Sequence, residues 1–270
     1  MKKKGFLLRL DLSTVCIVLL FAITIFFEFS NVKILVDEWR NNKLCSIIKL
    51  GCGALAAILL MFKSGICLFG KPQKWLYLLP CLLVAINNFQ WISYFNGKMQ
   101  FVRTDTVDLV LFAVYCCCVG LFEECVFRGI VFSVLASYFS RDKKGLIKTF
   151  IISSCVFSIS HLFNIFAGAG IGSTITQVGY TLLTGGLFGF ALIKSKNILC
   201  CGFLHAIYNF CGTLMSKDGL GLGAIIDLGT GIMMAVIGVF VGGFVLYKVF
   251  TYKEEEQVVL YERLGVKISK

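Results

Sequence analysis

Long apolar runs are the feature that most constrains how this 270-residue chain can fold. A helix needs about 20 mainly apolar residues to cross the hydrocarbon core of a bilayer. Hydrophobic residues make up 58% of the sequence, well above a soluble domain, and only 2 prolines occur to break helices. The sequence therefore predicts an all-α, polytopic integral membrane protein with about eight transmembrane helices.

Short polar or basic loops separate the predicted spans, so we expect one transmembrane domain over residues 1–250 and a charged tail at 251–270. The fourth run contains 33 residues, or about 50 Å as a straight helix, so it must tilt, project into water, or break near Gly120 or Gly129. The predicted spans are Leu12–Phe29, Leu44–Phe62, Trp75–Phe95, Val107–Phe139, Thr149–Phe166, Gln177–Ile193, Ile198–Met215 and Ala224–Val249.

The net charge of +11 lies mostly in the loops. In a soluble protein this excess would suggest a nucleic-acid partner, but in a membrane protein it marks the cytoplasmic side. With eight spans and a cytoplasmic N-terminus, the inner segments hold 18 Lys and Arg and the outer loops hold 6. We therefore expect cytoplasmic N- and C-termini and no nucleic-acid partner. The short loops, with no large soluble domain, favour a multi-pass protein of a bacterial plasma membrane.

Charged residues are concentrated in one apolar run, at GLFEECVFRG over Gly120–Gly129. On a helix, Glu124 and Arg128 share one face, whereas Glu123 is rotated by about 100° from Glu124. Glu124 and Arg128 can form a structural ion pair that fixes helix packing, since buried ions are normally paired. Glu123 is then left without a cation, and a carboxylate at membrane depth is a candidate general base.

The only two histidines of the chain, His161 and His205, lie in later apolar runs, and Asn209 shares a helix face with His205. Taken singly, each histidine is as readily explained as a structural core residue, with its hydrogen bonds made within the protein, as by a functional role. Together with Glu123, they predict one cavity that is lined by side chains from three helices. Such a set suits hydrolysis: a carboxylate activates water, a histidine assists it, and a His/Asn pair donates hydrogen bonds to a developing oxyanion.

Two other chemistries use the same region. A zinc ion held by Glu123, His161 and His205 is one alternative, since two histidines and a glutamate form a known ligand set, but no HExxH helix is present. A nucleophilic Cys125 is less favoured, because buried apolar cysteines are usually inert. The 13 cysteines include no CxxC pair, so neither a zinc ribbon nor a redox motif is indicated.

Three ordered motifs, on three separate predicted spans, resemble those of a known family. It is the CPBP family of CAAX proteases and bacteriocin-processing proteins, also called Abi, which includes the type II CAAX prenyl endopeptidases. The resemblance covers about Leu121–Asn209, and the first three spans add little to it. The motifs are Glu123-Glu124-x-x-x-Arg128, Phe157-x-x-x-His161 and His205-x-x-x-Asn209.

The resemblance implies an eight-helix intramembrane protease with a conical cavity open to the cytosol. Glu123 would activate water, His161 would assist, and His205 with Asn209 would form the oxyanion site. No cofactor is expected, although the resemblance leaves a metal requirement open. The supporting motif residues would be Glu124, Arg128 and Phe157.

We therefore expect an intramembrane endopeptidase that hydrolyses a peptide bond of a membrane-associated peptide or protein, with membrane lipid as its other partner. The alternative is a non-catalytic bacteriocin self-immunity or scaffold protein of the membrane. A transporter with an ion relay at the charged residues is disfavoured, because the sequence shows no pair of broken helices in matching halves.

Overall fold

The computed structural model describes residues 12–29, 32–166, 168–223 and 228–266. Within these ranges the chain consists of helices and loops, with one isolated antiparallel β-bridge between Phe101 and Gly221, so the all-α prediction is confirmed. The α-helices are α1 Leu12–Phe29, α2 Glu38–Lys63, α3 Leu79–Asn87, α4 Trp91–Phe95, α5 Thr106–Glu124, α6 Phe132–Tyr138, α7 Lys143–Ser160, α8 Ile171–Ser195, α9 Ile198–Thr213, α10 Leu228–Phe250 and α11 Glu254–Arg263.

The described residues include 5 helices that are long and apolar enough to cross a membrane. These confirm a membrane protein, and the total of eight spans stays a prediction. The 5 helices are Glu38–Lys63, Thr106–Tyr138, Lys143–Ile165, Ile171–Ser195 and Leu228–Phe250, and the shorter apolar helices are Val15–Phe26, Trp75–Asn87 and Ile198–Thr213.

The predicted third span, Trp75–Phe95, is interrupted. It consists of a 3₁₀ turn at Trp75–Leu78, then α3, a break after Asn87, and the short α4. At the break, the Asn88 side chain donates a hydrogen bond to the Tyr208 carbonyl at 2.9 Å, and Gln90 donates to the Gly212 carbonyl at 3.2 Å. The polar side chains thus tie this segment to α9 where the helix ends.

Helix α8 begins at Ile171, six residues before the predicted start at Gln177. The Gly-rich composition of this segment is typical of a loop, which is why the prediction placed the boundary too late. In the structure, the Thr174 hydroxyl donates to the Gly170 carbonyl at 2.9 Å and so closes the first turn. The extra turns carry the N-terminal part of α8 past the end of α7.

The fourth run continues from α5 through a π-helical turn, Cys125–Val131, into α6. Gly129, one of the two predicted break points, lies within this turn and packs against Met61, with a hypothetical Cβ only 2.5 Å from the Met61 sulfur. A π-turn inside an α-helix often marks a functional site, because it changes the direction of the side chains around it. Here it begins directly after Glu124.

Helix α11 is docked on the membrane domain, although its sequence predicts only a charged tail. Leu260 and Tyr261 are fully buried, and Lys74 forms a salt bridge with Glu256. The Arg263 guanidinium donates to the Lys196 carbonyl at 2.8 Å. The described part of the tail therefore covers the bundle end where α8 turns into α9.

Candidate active site

Glu124 and Arg128 form a buried ion pair. The Glu124 Oε2 atom lies 3.2 Å from the Arg128 Nε atom, and both side chains are 0% exposed. Arg128 also donates from Nη2 to the Gly185 carbonyl at 2.9 Å, and its guanidinium stands 4.3 Å from the ring centre of Phe157. The pairing expected from the four-residue spacing is therefore present, and further contacts support the buried cation, as burial requires.

The other oxygen of Glu124 holds His205. His205 Nδ1 lies 2.8 Å from Glu124 Oε1, and the buried imidazole stacks on Phe188 with ring centres 4.6 Å apart. Since a carboxylate accepts, Nδ1 carries the proton, and Nε2 points away from Glu124. The sequence gives no local signal for this contact, because the two residues are 81 positions apart.

Glu123 faces the free nitrogen of the same imidazole. Its Oε2 atom lies 3.7 Å from His205 Nε2, too far for a direct hydrogen bond, and its side chain is 26% exposed. Glu123 Oε2 has no hydrogen-bond partner among the described residues. The predicted meeting of Glu123 and His205 is therefore observed, with one carboxylate on each side of the imidazole.

Phe157 contacts both histidines. Its ring centre lies 5.0 Å from that of His161 and 5.9 Å from that of His205, both in edge contacts. The ring also covers the Arg128 guanidinium. The motif phenylalanine thus shields the buried ion pair from the more open part of the site.

His161 follows the last residue of α7 and opens a 3₁₀ turn, His161–Ile165. Its Nδ1 atom lies 2.9 Å from the Phe157 carbonyl, which can only accept, so Nδ1 donates this hydrogen bond. In the described part of the chain no ion pair joins His161 to either glutamate. The structure therefore brings His161 to the site through Phe157 and not by direct bonding to the acids.

Asn209 lies one turn beyond His205 on α9 and is half-buried. Its backbone carbonyl accepts from the Thr213 hydroxyl at 2.7 Å. No hydrogen bond of its side-chain amide is found within the described ranges. The amide N–H groups are therefore available to a bound group next to the imidazole.

The alternative zinc set does not fit this geometry. The described residues include no group of three or more His, Cys, Asp or Glu side chains that could hold a metal ion. We therefore derive no step through a metal.

A close helix crossing holds the site together. Where α5 crosses α9, a Cβ on Gly120 would lie 2.6 Å from the Gly202 carbonyl oxygen and 2.8 Å from the Ala206 nitrogen. Backbone atoms cannot rotate out of the way as a flexible side chain can. Only glycine at this position lets the two helices approach closely enough for Glu124 to reach His205.

We expect Gly120→Ala to lower the thermal stability of the purified chain, because the added methyl forces α5 and α9 apart. Gly51→Ala in α2 is the matched control, since nothing lies within 4 Å of its Cβ position. In a helix interior with room for the methyl group, alanine is favoured over glycine by about 0.5–1 kcal/mol. Equal melting temperatures for Gly120→Ala and the wild type would contradict the tight crossing.

Comparison with known proteins identifies the segment that carries this geometry. The family model described as type II CAAX prenyl endopeptidase Rce1-like matches residues 105–211, which include all the motif residues of the site. No curated protein and no solved structure matches the chain. The resemblance predicted from the three motifs is thus confirmed over this segment, which is similar to the type II CAAX prenyl endopeptidases.

Proposed function

We propose that this protein is an intramembrane endopeptidase that hydrolyses a peptide bond with water activated by Glu123. One observation carries the proposal: the carboxylate of the partly exposed Glu123 lies 3.7 Å from the Nε2 atom of an imidazole whose Nδ1 atom is held by Glu124. This carboxylate–histidine–carboxylate arrangement supplies both a base open to water and a fixed neighbouring proton carrier.

In the proposed reaction, a water molecule next to Glu123 gives one proton to the Glu123 carboxylate. The water oxygen then attacks the carbonyl carbon of the substrate. The Nε2 atom of His161 is a second acceptor at the edge of the site and assists the attack. The carbonyl oxygen becomes an oxyanion that the Asn209 amide and a protonated His205 stabilise. The proton on Glu123 then passes to the leaving nitrogen, the C–N bond breaks, and a carboxylate and an amine result.

Glu124 and Arg128 act through His205. With His205 protonated, the positive charges of His205 and Arg128 balance the negative charges of Glu123 and Glu124. Phe157 and Phe188 exclude water from the inner half of this group, which strengthens its electrostatic interactions. The buried pair therefore fixes the orientation and charge of the imidazole before substrate arrives.

The substrate class follows from the setting of the site. Access at membrane depth fits a membrane-associated peptide or protein, held in part by lipid, in a bacterial plasma membrane. The mechanism needs no resident cofactor, because the side chains supply the base, the proton carrier and the oxyanion donors. A non-catalytic immunity or scaffold role does not require a partly exposed carboxylate beside an oriented histidine.

Glu124→Gln tests the proposal with purified protein in lipid vesicles and membrane-associated peptides, with products identified by mass spectrometry. We expect kcat to fall by about 10²–10⁴-fold with little change in KM, because the amide removes the charge that holds the His205 proton. We also expect the pH profile of kcat to shift, an effect that a purely structural residue would not have. Glu255→Gln, on the exposed surface of α11, is the control.

Unchanged kcat and an unchanged pH profile in folded Glu124→Gln protein would contradict the role given to Glu124. Binding of peptides without cleavage by the wild type would instead support the non-catalytic alternative.

A further inference from the structure

His161 differs from the other proposed catalytic side chains because it lies outside a regular α-helix. It opens the 3₁₀ turn His161–Ile165, between the end of α7 and the start of α8. Its ring is hydrogen-bonded to the Phe157 carbonyl, one turn earlier in the same segment. The position of its Nε2 atom therefore depends on how firmly this turn is held against the rest of the bundle.

Apolar packing holds the turn only weakly. Leu162 and Phe163 are 40% and 71% exposed, and Phe166, which follows the turn, is 87% exposed. A 3₁₀ turn also has poorer hydrogen-bond geometry than an α-helix. Other contacts must therefore fix the turn if His161 is to keep one position.

Two side-chain hydrogen bonds tie the chain to α8 on either side of His161. Three residues before it, the Ser158 hydroxyl donates to the Val178 carbonyl at 2.6 Å. Three residues after it, the Asn164 amide donates from Nδ2 to Gln177 Oε1 at 2.8 Å. The two acceptors are neighbours in α8, so His161 lies between two anchors on one short stretch of that helix.

Helix α8 also contacts the buried part of the site. Its Gly185 carbonyl accepts from Arg128 at 2.9 Å, and its Phe188 ring stacks on His205. Gly185 follows Gln177 by 8 residues, or about 12 Å along a helix. Helix α8 is therefore a common frame, because one part of it contacts the ion pair and the imidazole and another part holds the 3₁₀ turn.

We propose that Asn164 and Gln177 are positioning residues for peptide hydrolysis. Their paired amides fix the 3₁₀ turn on α8, and so set the position of His161 relative to Glu123 and His205. The inference rests on the proposed function, since the pair has no chemistry of its own. Both amide side chains are half-buried, so neither is sealed from water when its partner is removed. A variant of the pair should therefore fold normally and lose rate.

Gln177→Met removes the acceptor and keeps the length of the side chain. In purified protein in lipid vesicles, we expect kcat for a membrane-associated peptide to fall by at least about tenfold with little change in KM, because a small displacement of a catalytic group is costly. Asn164→Leu, which removes the donor, should have the same effect, and the double variant should be no worse. Thr176→Val is the control, since the exposed Thr176 hydroxyl donates to the Gly172 carbonyl of its own helix at 3.0 Å.

Combination with His161→Gln separates positioning from a general effect on the fold. If the amide pair acts through His161, adding Gln177→Met to His161→Gln should cost less than about twofold in kcat. The pH profile of kcat for Gln177→Met should also resemble that of His161→Gln, because both lose the same proton acceptor. A full further loss of kcat in the combined variant, or wild-type kcat in Gln177→Met, would overturn the inference.

Hydrogen exchange tests the anchor without a substrate. We expect the backbone amides of residues 161–166 to exchange faster in Gln177→Met than in the wild type, with no change in α9. Equal exchange in the two proteins would show that the amide pair does not hold the turn, and would overturn the inference. Absence of cleavage by the wild type would instead overturn the proposed function, so the two failures are distinct.

Discussion

Glu123→Gln is expected to lower kcat/KM for peptide cleavage by about 10²–10⁴-fold, the usual contribution of a general base. Glutamine keeps the size of the side chain but cannot accept the water proton. The melting temperature should change little, because Glu123 is 26% exposed and its nearest charged partner, His205, is 3.7 Å away. The measurement is steady-state cleavage of a membrane-associated peptide by purified protein in lipid vesicles.

Two controls sharpen this experiment. Glu255→Gln changes an exposed glutamate of α11 and should leave cleavage intact. Treatment of the wild type with a chelator should also leave it intact, whereas loss of activity restored by zinc would favour the metal alternative. Undiminished cleavage by Glu123→Gln would exclude Glu123 as the base, and a folding defect would favour a structural role for the charge.

Arg128→Met is expected to destabilise the folded protein by about 3–5 kcal/mol, the usual cost of removing one partner from a buried ion pair. The Glu124 carboxylate would remain in a site with 0% exposure and no neighbouring arginine. The Gly185 carbonyl and the Phe157 ring would also lose the guanidinium that contacts them. Unfolding in detergent, followed by denaturant or temperature, measures the change.

The double variant Glu124→Gln/Arg128→Met should recover part of the lost stability, since no buried charge is then left unpaired. It should not recover activity, because His205 loses its carboxylate. Lys144→Met, which removes an exposed cation, is the control and should have little effect. Wild-type stability of Arg128→Met would show that the Glu124–Arg128 pair does not hold the fold together.

Local patterns predicted much of the fold. Apolar runs predicted the long membrane helices, and the four-residue spacing predicted that Glu124 would meet Arg128. The predictions failed where tertiary contacts decide the outcome. Trp75–Phe95 is interrupted because Asn88 and Gln90 bind carbonyls of α9, and no periodicity within the segment records such partners.

The same distinction holds for the candidate site. Motif order predicted that Glu123 and His205 would meet, and they do. It did not predict that Glu124 would hold His205, because that contact depends on how closely α5 crosses α9 at Gly120. Nor did it predict that the Phe157 ring would contact both histidines. Distances between side chains of separate helices follow from packing, which a single sequence does not reveal.

The most direct test of a single hydrolytic site is a double-mutant cycle on kcat/KM with Glu123→Gln, His205→Ala and the variant carrying both changes. Residues that act as one catalytic unit lose their contributions together. We predict that kcat/KM of the double variant is about equal to that of the less active of the two single variants. A loss equal to the product of the two single losses would show that Glu123 and His205 act independently, and would contradict a shared site.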